Sequence, residues 1–376
     1  MKKRTDDTEL LLEMEEEGNR SRRQSQHSPH KPFDARPHVV NIANCIVGVS
    51  VLAMPYCFQQ CGILLGTALI AICATVMKLT CHFLFVGATI MRVHSYEALA
   101  AATFGHLGRK AIEVLMLAFL MSSIVAYIVV IGDIGPHIVA DYLQLAAPTE
   151  RLRILVMVVV IVFVVIPLST IKDLQMFSVV SSVAVLFYAV FVVRIVMESM
   201  SSFYEGKWSL HVVWWRSEGF LACIPIVAMA LACQTQLFHI TECIQSPTVE
   251  QVDEVIGHAI NLCSCMYAAV GIFGYVAFYD RALHGDVLVE LAPTYITQLL
   301  KLAFMLSVAV SIPLMLFPAR TALFNLTLKP EGSDLPVARI HRSTFHILTA
   351  ILLLGNLLVA IFIPNGEIIQ SISWLL

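Results

Sequence analysis

Long stretches without a charged side chain constrain this chain more than any other feature. Leu155–Ile166, Val179–Val193 and Ile347–Ile363 are nearly free of polar side chains. Each belongs to a segment long enough to cross roughly 30 Å of hydrocarbon as a helix. In lipid the backbone must satisfy its own hydrogen bonds, which leaves helices or closed barrels. Barrel strands alternate polar and apolar residues, and these runs do not. A soluble domain of 376 residues, 58% hydrophobic and only 14% charged, could not hide so much apolar surface in one core. The expected fold class is therefore an all-α polytopic membrane protein embedded in a lipid bilayer.

Hydropathy places nine complete spans at Val39–Phe58, Ile63–Val86, Ile112–Gly132, Leu152–Leu168, Gln175–Met197, Phe220–Phe238, Gly257–Phe278, Tyr295–Phe317 and Phe345–Ile363. A partial tenth, Glu367–Leu376, is too short to cross. Residues 1–37 differ from everything after them. They are polar, mixed in charge and poor in aromatics, and read as a disordered tail ahead of a transmembrane domain over 38–376. The basic residues at the start are followed by Asp6, Asp7 and Glu9 rather than an apolar core, so no signal peptide is expected. Lys and Arg counts favour a cytosolic tail. Within it, Asp6 and Asp7 precede the leucines Leu10, Leu11 and Leu12 at the spacing of an acidic dileucine sorting signal. A sorting adaptor would be its partner; the other reading is a chance pattern in an acidic tail. Endolysosomal, Golgi and plasma membranes all stay open as destinations.

The spans divide into two sets of five, 39–197 and 220–376. Each set opens with an interrupted helix. The first contains Asn41, Asn44, Gly48, Ser50 and Pro55; the sixth contains Pro225 and then Cys233-Gln234-Thr235-Gln236. Interruptions at corresponding positions of two halves point to a transport site at mid-membrane, where free helix ends attract a carboxylate or a cation. An ordinary proline kink is the competing reading.

Charge is nearly absent from the middle of the spans. Glu113 and Asp133 bracket the third span, and Lys78 in the second is expected to snorkel to the surface. An ion site would then use hydroxyls and carbonyls. Ser307 and Ser311, four residues apart, share one face of the eighth span and suit a small hard cation. The alternative is that both hydroxyls bond their own helix. The ten cysteines lie in or near spans and read as buried free thiols, although Cys57 and Cys61 are placed to pair. Metalloprotease, serine-hydrolase and phosphate-loop signatures are all missing, so neither an enzyme nor a nucleic-acid partner is expected.

The run from Asn41 to Pro55, with Asn44-Cys45-Ile46-Val47-Gly48-Val49-Ser50 at its centre, resembles the opening helix of the sodium-coupled neutral amino acid transporters of the amino acid/auxin permease superfamily. The likeness continues through Val129–Asp133, Pro167–Ser169, Ala232–Gln236, Phe317–Arg320 and Ile363–Asn365. It implies a LeuT-like fold of inverted five-helix repeats and secondary active transport of a neutral amino acid, with a sodium ion as coupling ion. It also implies roles for particular residues. Asn44, Val47, Gly48, Val49, Cys233 and Gln234 would meet the substrate, and Asn44, Ser307 and Ser311 the sodium. The likeness fades after Asn365, so relative to the family the chain is expected to be short at its C-terminus. The rival readings are an amino acid-sensing receptor built on the same pocket and an inactive truncated isoform.

Overall fold

The computed structural model describes residues 34–144, 149–170, 176–206, 208–241, 244, 247–281, 283, 287–291, 294–327 and 342–362. The sorting motif at Asp6–Leu12, most of the tail and the short terminal segment lie outside the described residues. Residues 1–35 and 36–376 form separate units, and the helices belong to the second. Every regular element among the described residues is helical. They are α1 (Arg36–Ile46), α2 (Met54–Cys61), α3 (Ile63–Met91), α4 (Tyr96–Tyr142), α5 (Glu150–Ser169), α6 (Met176–Glu205) and α7 (Trp208–His211). After these come α8 (Phe220–Leu231), α9 (Gln234–Thr241), α10 (Val249–Ala277), α11 (Val287–Glu290), α12 (Tyr295–Thr327) and α13 (Arg342–Phe362). Among the described residues, 8 helices are long and apolar enough to cross a membrane, and 9 spans result when the bent pair α1–α2 counts as one.

Their faces are sorted for an apolar solvent. Ile72, Phe83, Phe163, Leu186, Leu299 and Leu358 are exposed although large and apolar, while polar side chains such as Asn44, Gln236 and Asn356 are buried. A water-soluble protein has the reverse arrangement. The chain is an integral multi-pass membrane protein.

The helices reach past their hydropathy windows because polar residues continue them and cap them. Ser95 accepts a hydrogen bond from the Ala98 amide at 3.1 Å, so α4 starts well before Ile112 and runs on beyond Gly132. Its one non-helical residue is Gly105, at φ +70°. Glu113 and Asp133 consequently lie within the helix rather than at its ends, each paired with an arginine: Arg109 at 3.0 Å and Arg153 at 3.2 Å. The pairing makes their place in a helix near lipid tolerable. In α10 a reciprocal capping box between Thr248 and Gln251 sets the start at Val249, eight residues earlier than Gly257. The first helix begins at Arg36, inside the stretch read as tail. Lys78 Nζ donates to Asn261 Oδ1 of α10 at 2.5 Å, in an exposed position.

The spans pack as two groups. In one, α10 lies against α1, α2, α3 and α6, and α8 packs on α3 and α2. In the other, α12 lies along α4, and α5 and α13 pack on α4 as well. Arg320 pins this second group. Its buried Nη1 donates to the Ser169 carbonyl of α5 at 3.1 Å and to Thr349 Oγ1 of α13 at 3.0 Å, with the guanidinium over Phe345. A charge taken out of water is expensive unless such partners receive it. The two groups meet chiefly where α3 packs on α4 and α6 on α12, with smaller contacts from the segment Val49–Ala53 and from α9 to α4.

Candidate substrate site at two interrupted helices

The first span breaks where α1 stops at Ile46. The Val47 amide still reaches the Ala43 carbonyl at 2.8 Å, but the Gly48 amide turns to Ile46 O at 2.9 Å, only two residues back. A single 3-10 segment, Val49–Ala53, leads into α2, which Pro55 opens at a position where a missing amide costs nothing. The two halves are bent by 61°. Gly48 is required sterically: a Cβ there would lie 2.6 Å from the Tyr127 hydroxyl of α4 and 3.2 Å from its ring. Val47 is buried beside it, and Asn44 is buried one turn earlier.

Ala232 turns the sixth span out of helix with ψ 120°. Gln234 then caps the break from its own side chain. Its Oε1 accepts the Cys233 amide at 3.1 Å, while its Nε2 donates to Thr80 Oγ1 of α3 at 2.9 Å. The buried thiol of Cys233 lies 3.6 Å from that of Cys81, also on α3. Despite its break the sixth span runs on as a single 19-residue crossing, Phe220–Phe238. Pro225, read from the sequence as part of this interruption, sits inside the regular helix α8.

Each interruption frees carbonyls that a continuous helix would have bonded. One side chain reaches both. The Tyr267 hydroxyl of α10 lies 2.9 Å from the Ile46 carbonyl and 3.0 Å from the Ala230 carbonyl, with one proton to share between the two acceptors. The structure therefore brings Asn44, Val47, Gly48 and Val49 together with Cys233 and Gln234 around two breaks that share one phenol. Tyr127 and Tyr267 had no sequence signal. Both lie in the middle of apolar helices, and nothing in their spacing marks them as site residues.

The eighth-span serines approach the site through the fifth span. Ser307 Oγ lies 3.3 Å from the Tyr188 hydroxyl of α6, and Ser311 Oγ donates to the Ser307 carbonyl at 3.0 Å. Ser311 thus bonds its own helix and keeps its lone pairs for another partner. Among the described residues the cysteines are free thiols; Cys57 and Cys61 pack against Cys223 of α8 instead of pairing.

The sequence is similar to those of known proteins. Residues 33–372 match the family described as transmembrane amino acid transporter protein. Solute carrier family 38 member 10 of Mus musculus is 34% identical over 343 residues, covering 89% of this chain and 31% of the relative. Its Homo sapiens namesake is 34% identical over 89% of this chain and 30% of its own length. Vacuolar amino acid transporter 6 of Saccharomyces cerevisiae is 26% identical over 304 residues, 77% of this chain and 66% of the relative. The chain spans about a third of the length of the two member-10 relatives.

Proposed function

The chain belongs to the transmembrane amino acid transporter protein family, and from that premise we propose that it is a secondary active transporter of neutral amino acids, coupled to sodium. The observation that supports this reading is the convergence of two helix interruptions on Tyr267, beside a glycine that lets the backbone pass close to Tyr127. Backbone amides at the start of Val49–Ala53 suit an α-carboxylate, and free carbonyls suit an ammonium or a metal cation. In this reading Asn44, Val47, Gly48, Val49, Cys233 and Gln234 surround the amino acid.

Sodium is a co-substrate here. Its seat would be Asn44 with Ser307 and Ser311, an all-oxygen set without a carboxylate. The hydroxyl lone pairs of Ser307 and Ser311 are compatible with that role. The two five-helix sets would form inverted repeats of LeuT-like type. The group of helices around α10 would then rock against the group around α4, opening the breaks to one side of the membrane at a time. With the tail and its Lys and Arg residues in the cytosol, the loop after α12 would be cytosolic too, and a cysteine placed at Ser333 would escape impermeant thiol reagents on intact cells.

Purified protein in proteoliposomes tests the function. An inward sodium gradient should drive saturable uptake of radiolabelled neutral amino acids, and choline should support much less. Uptake equal in sodium and choline but rising with an inward proton gradient would reject sodium coupling. Saturable binding without uptake would reject transport and favour a receptor.

A further inference from the structure

We propose that Tyr267 is a positioning residue that ties the two interrupted spans into one moving body. The inference rests on the transporter reading for its consequence, but its geometry stands apart from it. A continuous helix would give the Ala230 carbonyl the amide of Gln234, but α8 stops at Leu231 and Gln234 opens α9, while the Cys233 amide one residue nearer is taken by the Gln234 side chain. The Ile46 carbonyl has lost its helical donor as well and receives the Gly48 amide from two residues away, in a tight turn. Both carbonyls have thus lost their helical donor where water is excluded and an unmet carbonyl is costly, the Ile46 carbonyl keeping only the tight-turn bond.

Tyr267 stands between both from a third helix, fully buried, with its single O–H proton shared in a three-centre contact between the two carbonyls. Its neighbours on α10 hold the same two parts. Cys263, one turn earlier, directs its thiol at the Ala43 carbonyl of α1 at 3.7 Å. Gly271 and Gly274, on the next turns, would clash through a Cβ with Phe58 and Pro55 of α2, at 2.3 and 2.5 Å. The face of α10 from Cys263 to Gly274 is thus shaped to both halves of the first span. Tyr267 is the point on that face where the sixth span joins.

The consequence is preorganisation. With the phenol in place, the first and sixth breaks hold one relative position, and the substrate meets a formed seat. Without it each break moves alone, and binding must pay to assemble them. The effect belongs in KM more than in the maximal rate.

The test replaces Tyr267 in the full chain with Phe, with 4-fluorophenylalanine, or with 4-aminophenylalanine, which restores a donor at the same place. Amide hydrogen exchange of the purified protein needs no substrate. Tyr267→Phe and the fluoro variant should speed exchange at least fivefold in peptides covering residues 44–53 and 228–237, with Glu150–Ser169 unchanged. The amino variant should return both regions to the parent rate. Faster exchange at one break only, at neither, or across the whole protein overturns the proposal, as does a failed rescue by the amino variant. In uptake, Tyr267→Phe should raise KM about tenfold and leave the maximal rate per molecule within threefold. An unchanged KM with a lowered maximal rate also overturns it. If the parent protein moves no amino acid in any gradient, the transporter reading fails, and the exchange result still decides whether Tyr267 is the brace.

Discussion

The two interrupted spans solve one problem by different means. The first is broken by the absence of a side chain: Gly48 lets Tyr127 come so close that no Cβ fits, and the halves diverge by 61°. The sixth is broken by the presence of one: Gln234 folds back on the Cys233 amide and anchors the turn to α3 through Thr80, and the span continues as one crossing. A steric break is intolerant of substitution because its neighbour is fixed. A capped break is tolerant, because a lost hydrogen bond is worth about 1 kcal/mol in most settings. The first break is therefore the rigid half of the site and the sixth the adjustable half.

The largest effect should come from filling the first break. Gly48→Leu should reduce uptake more than a hundredfold while abundance at the membrane stays near normal, read by uptake per molecule and by surface or vesicle immunoblot. Gly48→Ala places its clash on one hydroxyl, so adding Tyr127→Phe should recover at least fivefold of the lost uptake. An undiminished Gly48→Leu protein would mean that the backbone there meets no ligand.

Gln234→Leu keeps the bulk and removes the cap. About a tenfold rise in substrate KM, near 1.4 kcal/mol, is expected, with uptake still measurable. A loss as complete as that of Gly48→Leu would erase the distinction between the two breaks.

Ion dependence should separate them further. Asn44→Ala, or Ser307→Ala with Ser311→Ala, should raise the half-saturating sodium concentration about fivefold at saturating amino acid. Gln234→Leu should leave it within twofold. Equal shifts in all three would place the ion elsewhere.

The smallest effect should belong to Pro225. Because it sits inside regular helix, Pro225→Ala should change uptake by less than twofold and stability by under about 1 kcal/mol. A large loss would make the sixth break a proline effect after all.

Much of this was legible in the residues, for reasons that also mark the limits. The membrane-spanning helical class was legible, because lipid-facing surface must be apolar whatever the helix does elsewhere. Helix ends were misplaced where Ser95 and Thr248 cap polar extensions that hydropathy averages discount. Gly48 drew notice with Asn41, Asn44, Ser50 and Pro55, which together mark a helix with local reasons to break. The sixth break was located by its polar run, but credited in part to a proline that lies seven residues away from Ala232 in a regular helix. Tyr267 and Tyr127 were invisible. A tyrosine in an apolar helix carries no periodic signal, and its partners lie on other spans, 221 residues away in the case of Ile46. What sequence pattern supplies is the local capacity to break. Which side chain then holds the broken ends is a tertiary fact.

If one substrate sits between both breaks, it must slow the opening of both together. Hydrogen exchange of the purified protein, titrated with a transported neutral amino acid in sodium, tests this most directly. The expected result is slower exchange in peptides covering 44–53 and 228–237, both with the same half-saturating concentration, and no change over Glu150–Ser169. Protection of one break alone, or of neither at a concentration that saturates uptake, would contradict it.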